Sequence, residues 1–279
     1  MTVPTVGLLH PGSMGAAFGA QLREQGVPVL WCPEGRSRAT RLRAEAARLE
    51  PAPLREVIHR ADLVLSLCPP AAAEATAARV ATCGLDGSLL IEANAITPSR
   101  VRRITQSFAE GQVVDAAVIG SPPVDGKSST LYLSGPLEQT RRVEALFVGT
   151  SVHTRVLGEE VGTASALKLA YSSFQKTSRV LATLAYAAAE SHGVGDELLA
   201  IGARRAGSYL TETSYIPKTA SRAWRWGPEL ADAAAFLADA GLPDGLSSAA
   251  AEILAHWEAA RDKSLTVDEA IAMLRSIDN

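Results

Sequence analysis

The first half of the chain alternates short apolar runs with helical segments. The apolar runs are rich in Val, Leu and Ile, and they predict strands at residues 3–9, 27–32, 63–67, 89–93 and 113–119. Small and apolar residues at helical spacing predict helices between them, such as 13–25, 71–82 and 98–108. Continuously apolar strands separated by helices are typical of a parallel sheet that is covered on both faces. The pattern predicts an α/β, doubly wound domain.

The second half has a different pattern. From Gly162 to His192 there is no proline and no internal glycine, which predicts one helix on the order of 45 Å long. Further helices are predicted at 196–208, near Trp224, at 247–262 and from Val267, where Thr266 and Glu269 form a capping box. We predict a Rossmann-type domain at 1–157 and an all-α domain at 158–279, joined by the long helix.

Composition excludes several classes of function. A net charge of −3 gives no broad electrostatic attraction to nucleic acid or to an anionic membrane, and no stretch reaches the roughly 20 apolar residues of a membrane span. The histidines lack metal-ligand spacing, so we expect no metal site. Cys32, Cys68 and Cys83 are odd in number and no leader-like segment precedes Val3, so we expect a cytoplasmic protein.

The turn after the first predicted strand reads GLLHPGSMG. In the dinucleotide-binding pattern G-x-G-x-x-G, the first glycine permits the turn, the second lets the backbone approach the pyrophosphate and the third lets helix and strand pack. Gly12 and Gly15 match the second and third glycines, and His10 replaces the first. Pro11 fixes its own φ and favours extended geometry at His10, so this pair can set the turn.

We therefore predict a nucleotide at the start of the first helix, where free N–H groups and the helix dipole favour an anion. An ordinary glycine turn is the alternative. His10 is interpreted as a turn residue, with a ligand contact as its alternative. The predicted cofactor-binding residues of this turn are His10, Pro11, Gly12, Ser13, Met14 and Gly15.

The residues after the second strand distinguish NADP from NAD. NAD sites usually place Asp or Glu at the strand end, whereas a 2′-phosphate requires arginine. Cys32 occupies the strand end, and Arg36, Ser37 and Arg38 follow. We predict that these three residues bind a 2′-phosphate and that NADP is preferred, although Glu34 keeps NAD possible. The alternative is a solvated basic start to the next helix.

The chain resembles the β-hydroxyacid dehydrogenase superfamily, which is related to 6-phosphogluconate dehydrogenase and to the imine reductases. The resemblance extends over nearly the whole length, through the glycine turn, CPP at 68–70, EANAITP at 92–98, DAAVIGSPP at 115–123 and GTASALKLAYSS at 162–173. Its details are similar to a poorly characterised branch with a C-terminal domain of unknown function. The resemblance implies that Cys68, Pro69 and Asn94 also contact the cofactor.

The resemblance also implies a catalytic lysine, which falls on Lys168. In the family this lysine assists proton transfer at the substrate while hydride moves to or from the nicotinamide. The family's Asn pair falls on Tyr171 and Ser172, and its carboxylate-binding serine falls on Ile119, with Gly120 and Ser121 after it. These departures argue against an ordinary β-hydroxy acid as the substrate.

Helical spacing places Lys168, Tyr171, Ser172 and Gln175 in one polar stripe. Such a stripe is either a solvated face or the wall of a substrate cleft, and we interpret it as the cleft wall. Trp226, with Trp224, falls where the family's second domain contributes to the substrate pocket. Core packing is the alternative for both tryptophans.

The sequence thus predicts an NADP-preferring oxidoreductase acting on a hydroxy- or keto-type small molecule. Lys168 is the expected acid/base, and the resemblance implies a homodimer formed through the helical domain. One alternative is an imine or iminium reductase with Tyr171 as the proton donor. The other is a catalytically silent module that binds NAD(P).

Overall fold

A computed structural model describes residues 3–204, 207, 209, 212–261 and 263–275. The predicted helix ends at Ser208 and Asp262 lie outside these residues. The chain forms two compact units that meet between Ser172 and Ser173, within the long helix rather than before it. Each unit is described by itself below.

The first unit contains an eight-stranded sheet in the order β3-β2-β1-β4-β5-β6-β7-β8. Every neighbouring pair is parallel except β6 and β7, which are antiparallel. The predicted doubly wound α/β fold is therefore confirmed, and one antiparallel pair is added to it. The strands are β1 (Val6–Leu8), β2 (Val29–Trp31), β3 (Glu50–Pro51), β4 (Leu63–Ser66), β5 (Leu89–Glu92), β6 (Val113–Gly120), β7 (Ser129–Ser134) and β8 (Val152–Gly158).

Helices cover the sheet of the first unit. The central strands β1, β4 and β5 are buried at every position, as a sheet covered on both faces requires. The helices are α1 (Ser13–Glu24), α2 (Arg38–Ala46), α3 (Leu54–Arg60), α4 (Ala73–Cys83), α5 (Pro98–Thr105) and α6 (Leu137–Leu146). The predicted ends of the corresponding segments differ from these by a few residues.

The long helix α7 (Thr163–Ser191) has 29 residues, as the absence of proline and internal glycine predicted. The second unit continues with α8 (Gly195–Ala203), α9 (Ile216–Asp239), α10 (Gly245–Ala255) and α11 (Val267–Arg275). Its core is built on Trp257, whose indole N–H donates to the carbonyl of Ala270 at 2.8 Å. None of the helices in the described part of the chain is long and apolar enough to cross a membrane.

Candidate active site

The glycine-rich turn joins β1 to α1. The N–H of Gly12 donates to the carbonyl of His10 at 2.8 Å, and α1 begins at Ser13 with no side-chain cap and no acidic residue in its first turn. A Cβ at Gly15 would overlap that same carbonyl oxygen, so the turn has room only for glycine there. The uncapped helix start and the bare backbone at Gly12 fit a diphosphate group.

Arg36 contacts this turn directly. Its Nη2 donates to the carbonyl of Leu9 at 2.7 Å, and its Nη1 lies 3.0 Å from Nδ1 of His10. Ser37 caps α2, since its Oγ accepts from the N–H of Thr40 at 3.2 Å, while Arg38 is exposed at the first position of that helix. The three residues predicted to bind a 2′-phosphate therefore have three different environments.

Asn94 ties together the loops that follow β4 and β5. Its side-chain oxygen accepts from the N–H of Cys68 at 2.6 Å, and its amide nitrogen donates to Ser66 Oγ at 2.9 Å. The same amide group and the N–H of Asn94 donate to Glu92. Asn94 thus positions the Cys68–Pro69 segment that the sequence predicts beside a cofactor.

Glu92 is a fully buried carboxyl group at the end of β5. Burial, with a smaller contribution from the neighbouring carboxyl of Asp115, raises the pKa of Glu92 to about 7, and the hydrogen-bond donors on Asn94 and Ser66 oppose this rise. Its Oε2 has no hydrogen-bond partner among the described residues. A carboxyl in this environment holds a proton close to neutral pH.

Asp115 anchors the start of α7 to β6. Its Oδ2 accepts from the N–H groups of Gly162 and Ser165 at 2.9 and 3.0 Å and from Ser134 Oγ at 3.0 Å, and its Oδ1 accepts from Ser165 Oγ at 2.6 Å. These bonds satisfy N–H groups that the first turn of a helix leaves unpaired. Burial raises the pKa of Asp115, and the same donors oppose that rise.

Lys168 lies one turn further along α7. Its Nζ donates to the carbonyl of Val118 at 2.7 Å, so β6 holds α7 at two points, three residues apart on both elements. Lys168 is half-buried. The strand therefore fixes both the position of the helix and the direction of the lysine.

A cavity of about 200 Å³ brings several of the predicted site residues together. Its wall includes Met14 from the glycine turn, Cys68 and Asn94 from the strand ends, and Lys168 from α7. Pro70 contributes to this wall together with the Cys68 loop. A larger apolar groove of about 480 Å³ lies in the second unit, but Glu197 is the single ionisable side chain among its described lining residues. The smaller cavity is therefore the candidate active site.

Other predicted residues lie around this site or in the second unit. Tyr171 and Ser172 are half-buried on the next turn of α7, and Ile119, Gly120 and Ser121 end β6 and begin the loop after it. In the second unit, Gln175 is half-buried, and Trp226 packs against the hydrophobic core with Arg222 over its ring. Trp224 is 44% exposed, with Arg261 4.1 Å above its ring.

Glu92 and Asp115 begin the motifs EANAITP and DAAVIGSPP, but the sequence did not lead us to predict a role for either residue. The signal was available, because each is an acidic residue within a continuously apolar strand, LLIE and VVDAAV. A buried carboxylate requires specific partners. An acidic residue in each of these strands therefore indicates a buried hydrogen-bond network at that position.

Comparison with known proteins follows the same division of the chain. Residues 5–158 match the NAD binding domain of 6-phosphogluconate dehydrogenase, and residues 189–257 match a domain of unknown function, DUF1932. Comparison with curated proteins gives no match.

Three solved structures illustrate the shared fold. A conserved protein of unknown function, described as structurally similar to 3-hydroxyacid dehydrogenases, is 24% identical, has a TM-score of 0.59 and covers 92% of this chain and 97% of its own. A reductive aminase from Aspergillus terreus, in complex with NADPH and ethyl levulinate, is 20% identical, with a TM-score of 0.73 and coverage of 97% and 99%. An imine reductase from Myxococcus stipitatus, a variant in complex with NAD+, is 17% identical, with a TM-score of 0.73 and coverage of 98% and 100%.

Proposed function

Because this chain belongs to the family of the NAD binding domain of 6-phosphogluconate dehydrogenase, we propose that it is an NADPH-preferring oxidoreductase of hydroxy- or keto-type small molecules. The observation that carries this proposal is the cavity shared by Met14, Cys68, Asn94 and Lys168. It joins a turn that fits a diphosphate to an amine group that can transfer a proton. A bound nicotinamide nucleotide supplies or accepts the hydride.

Lys168 is the proposed proton donor. Its Nζ is held at the cavity wall by the carbonyl of Val118. An ammonium group at that wall can transfer a proton to a substrate oxygen that becomes negative during reduction. A positioned general acid of this kind contributes roughly 10²–10⁴-fold to the rate.

The preference for NADPH is supported by the basic start of α2, where Ser37 and the exposed Arg38 would contact a 2′-phosphate. Glu34, which is exposed before them, is the group that would instead favour NAD. The solved relatives were captured with NADPH in one case and with NAD+ in another. Titration with both nucleotides tests the preference directly, through energy transfer from tryptophan to the nicotinamide.

Two substitutions test the chemistry. If Lys168 is the acid, Lys168→Met lowers turnover of carbonyl substrates by about 100-fold or more and changes nucleotide affinity by less than about threefold. Lys176→Met, which changes an exposed lysine of the same helix, is the matched control. Retention of full turnover in Lys168→Met would refute the assignment.

A second candidate function is reduction of imines, with Tyr171 as the donor. It is favoured by the position of Tyr171 one turn beyond Lys168 and by the imine-reducing relatives of the same fold. It predicts turnover that requires an amine together with a carbonyl, that survives Lys168→Met and that is lost in Tyr171→Phe. Nucleotide binding without turnover of any carbonyl or amine–carbonyl pair would instead support a silent binding module.

We further propose a homodimer formed through the second unit. Leu199 and Ile201 of α8 are 55% and 65% exposed, and Phe236 of α9 is 42% exposed beside the 480 Å³ apolar groove. Exposed apolar side chains grouped on one surface are typical of an interface between proteins. Light scattering after size exclusion should give about twice the chain mass of 29.2 kDa, and Ile201→Glu should yield monomer.

The expected compartment is the cytoplasm. Cys32, Cys68 and Cys83 are all free thiols in the described structure, which suits a reducing environment. Fractionation of the native host would check this expectation.

A further inference from the structure

Arg36 determines which nitrogen of the His10 ring carries a proton. A guanidinium group can only donate hydrogen bonds, and Nη1 of Arg36 lies 3.0 Å from Nδ1 of His10. Nδ1 must therefore accept, and the single proton of the neutral ring lies on Nε2. The second bond of Arg36, to the carbonyl of Leu9 at 2.7 Å, fixes the guanidinium against the turn.

The surroundings of His10 favour its neutral form. Burial lowers the pKa of His10, and the positive charges of Arg36 and Arg43 lower it further. Arg43 contacts the same turn, since its Nε donates to the carbonyl of Pro11 at 3.4 Å. A protonated ring would offer a second N–H to Arg36 instead of a lone pair, so the geometry and the charges agree.

The Nε2 edge of the ring borders the phosphate-binding side of the turn. A Cβ built on Gly12 would lie 3.1 Å from Cδ2 and 3.2 Å from Nε2 of His10. In a dinucleotide turn, the missing Cβ of this second glycine leaves the space through which the backbone approaches the pyrophosphate. The N–H on Nε2 therefore lies beside that space.

We propose that His10 is a diphosphate-binding residue, a neutral Nε2–H donor that Arg36 holds in that tautomer in place of the first glycine of the turn. This inference rests on the proposed function, because its ligand is the diphosphate that NADH and NADPH share. It also separates the roles of the two arginines. Arg36 acts through His10 on both nucleotides, whereas Arg38 at the exposed start of α2 recognises the 2′-phosphate of NADPH.

Binding titrations with NADH and NADPH test these roles. His10→Gly restores the first glycine of the pattern, yet it should weaken binding of both nucleotides by about tenfold or more, since a hydrogen bond to a charged group is lost. Arg36→Ala should weaken both by a similar factor, and Arg38→Ala should weaken NADPH alone. His59→Gln, at an exposed histidine paired with Asp86, is the control and should change neither affinity.

The His10→Gly result discriminates most sharply. If His10 only shapes the turn, restoring glycine leaves nucleotide affinity unchanged or improved, and that outcome overturns the proposal. His10→Phe keeps a ring of similar size without a donor, so it covers the case in which His10→Gly does not fold. Wild-type protein that binds neither nucleotide refutes the proposed function and this role together, whereas undiminished binding by His10→Gly refutes this role alone.

A measurement without ligand tests the part played by Arg36. In protein labelled with ¹⁵N-histidine, the ring signals of His10 are identified by their absence in His10→Phe. They should report the Nε2–H tautomer at pH 7.5, and Arg36→Ala should shift them towards a mixture of tautomers and raise the pKa of the ring. An Nδ1–H or doubly protonated ring in the wild type would overturn the proposal.

Discussion

Replacement of Glu92 by glutamine should remove a loss of stability that the wild type suffers as the pH rises from about 4.5 to about 7. Glu92 is fully buried, and burial raises its pKa from 4.5 to about 7. Below pH 4.5 the carboxyl is protonated in both the folded and the unfolded chain. Between pH 4.5 and about 7 only the unfolded chain releases this proton, so the stability of the wild type falls as the pH rises, and above about 7 the loss is complete.

The expected loss is about 3 kcal/mol, because each unit of difference in pKa between the two states corresponds to about 1.4 kcal/mol. Glutamine has nearly the same shape and cannot ionise. Its oxygen can accept the bonds from Asn94 that Oε1 of Glu92 accepts, and its amide nitrogen takes the place of Oε2. Any fixed cost of that buried amide is the same at all pH values.

Urea unfolding of wild type and Glu92→Gln at pH 5 to 9, followed by circular dichroism, measures this effect. The difference in unfolding free energy should grow by about 3 kcal/mol in favour of the variant between pH 5 and 9. Glu74→Gln provides the control, because hydrogen bonds from Arg103 and Arg100 lower the pKa of Glu74. Glu74 is therefore ionised in both the folded and the unfolded chain above pH 5, and the difference for this variant should stay constant from pH 5 to 9. A difference for Glu92→Gln that stays constant from pH 5 to 9 would show that burial does not hold the proton.

Two further predictions concern the anchors of the site. Asp115→Asn should lower the free energy of unfolding in urea by only about 1 kcal/mol, because the amide oxygen can keep the Oδ2 bonds while Ser165 Oγ changes from donor to acceptor. Asp115→Ala should lower it by about 3 kcal/mol or more, because it leaves buried N–H groups unpaired. Equal losses for the two variants would contradict this reading. Gly15→Ala should lower the free energy of unfolding by about 1–3 kcal/mol or more, since its Cβ would overlap the carbonyl of His10. Gly202→Ala on α8, which has open space around it, should raise the free energy of unfolding by about 0.5–1 kcal/mol. Thermal unfolding of the two variants checks both signs.

The hydrophobic pattern predicted the parts of the fold whose signal is local. Strands β1, β4, β5 and most of β6 are continuous apolar runs, and α7 is marked by the absence of helix breakers along its length. The pattern did not indicate β3, β7 and β8. β3 has two exposed residues, and β7 and β8 mix polar and apolar positions, STLYLS and VHTRVLG. Their pairing depends on distant partners that a local pattern does not contain.

The candidate site was predictable as a set of motifs but not as an arrangement. Residue types and spacing indicated the glycine turn, and the resemblance indicated Lys168. The contact of Arg36 with His10 was not predictable, because the two residues are 26 positions apart and no local pattern indicates the direction of the arginine side chain. The role of Asp115 depends in the same way on Ser165, 50 positions away.

Two residues of β6, Asp115 and Val118, hold α7 in different ways, one through the helix backbone and one through the proposed proton donor. Asp115 holds the backbone at the start of α7 through the N–H groups of Gly162 and Ser165, whereas the carbonyl of Val118 holds only the side chain of Lys168. With Asp115 retained, the residues at positions 168 and 171 can be substituted while the helix backbone stays in place. The scaffold is therefore suited to acquiring new chemistry by substitution on one helix face, and a library at these two positions is a direct route to altered substrates.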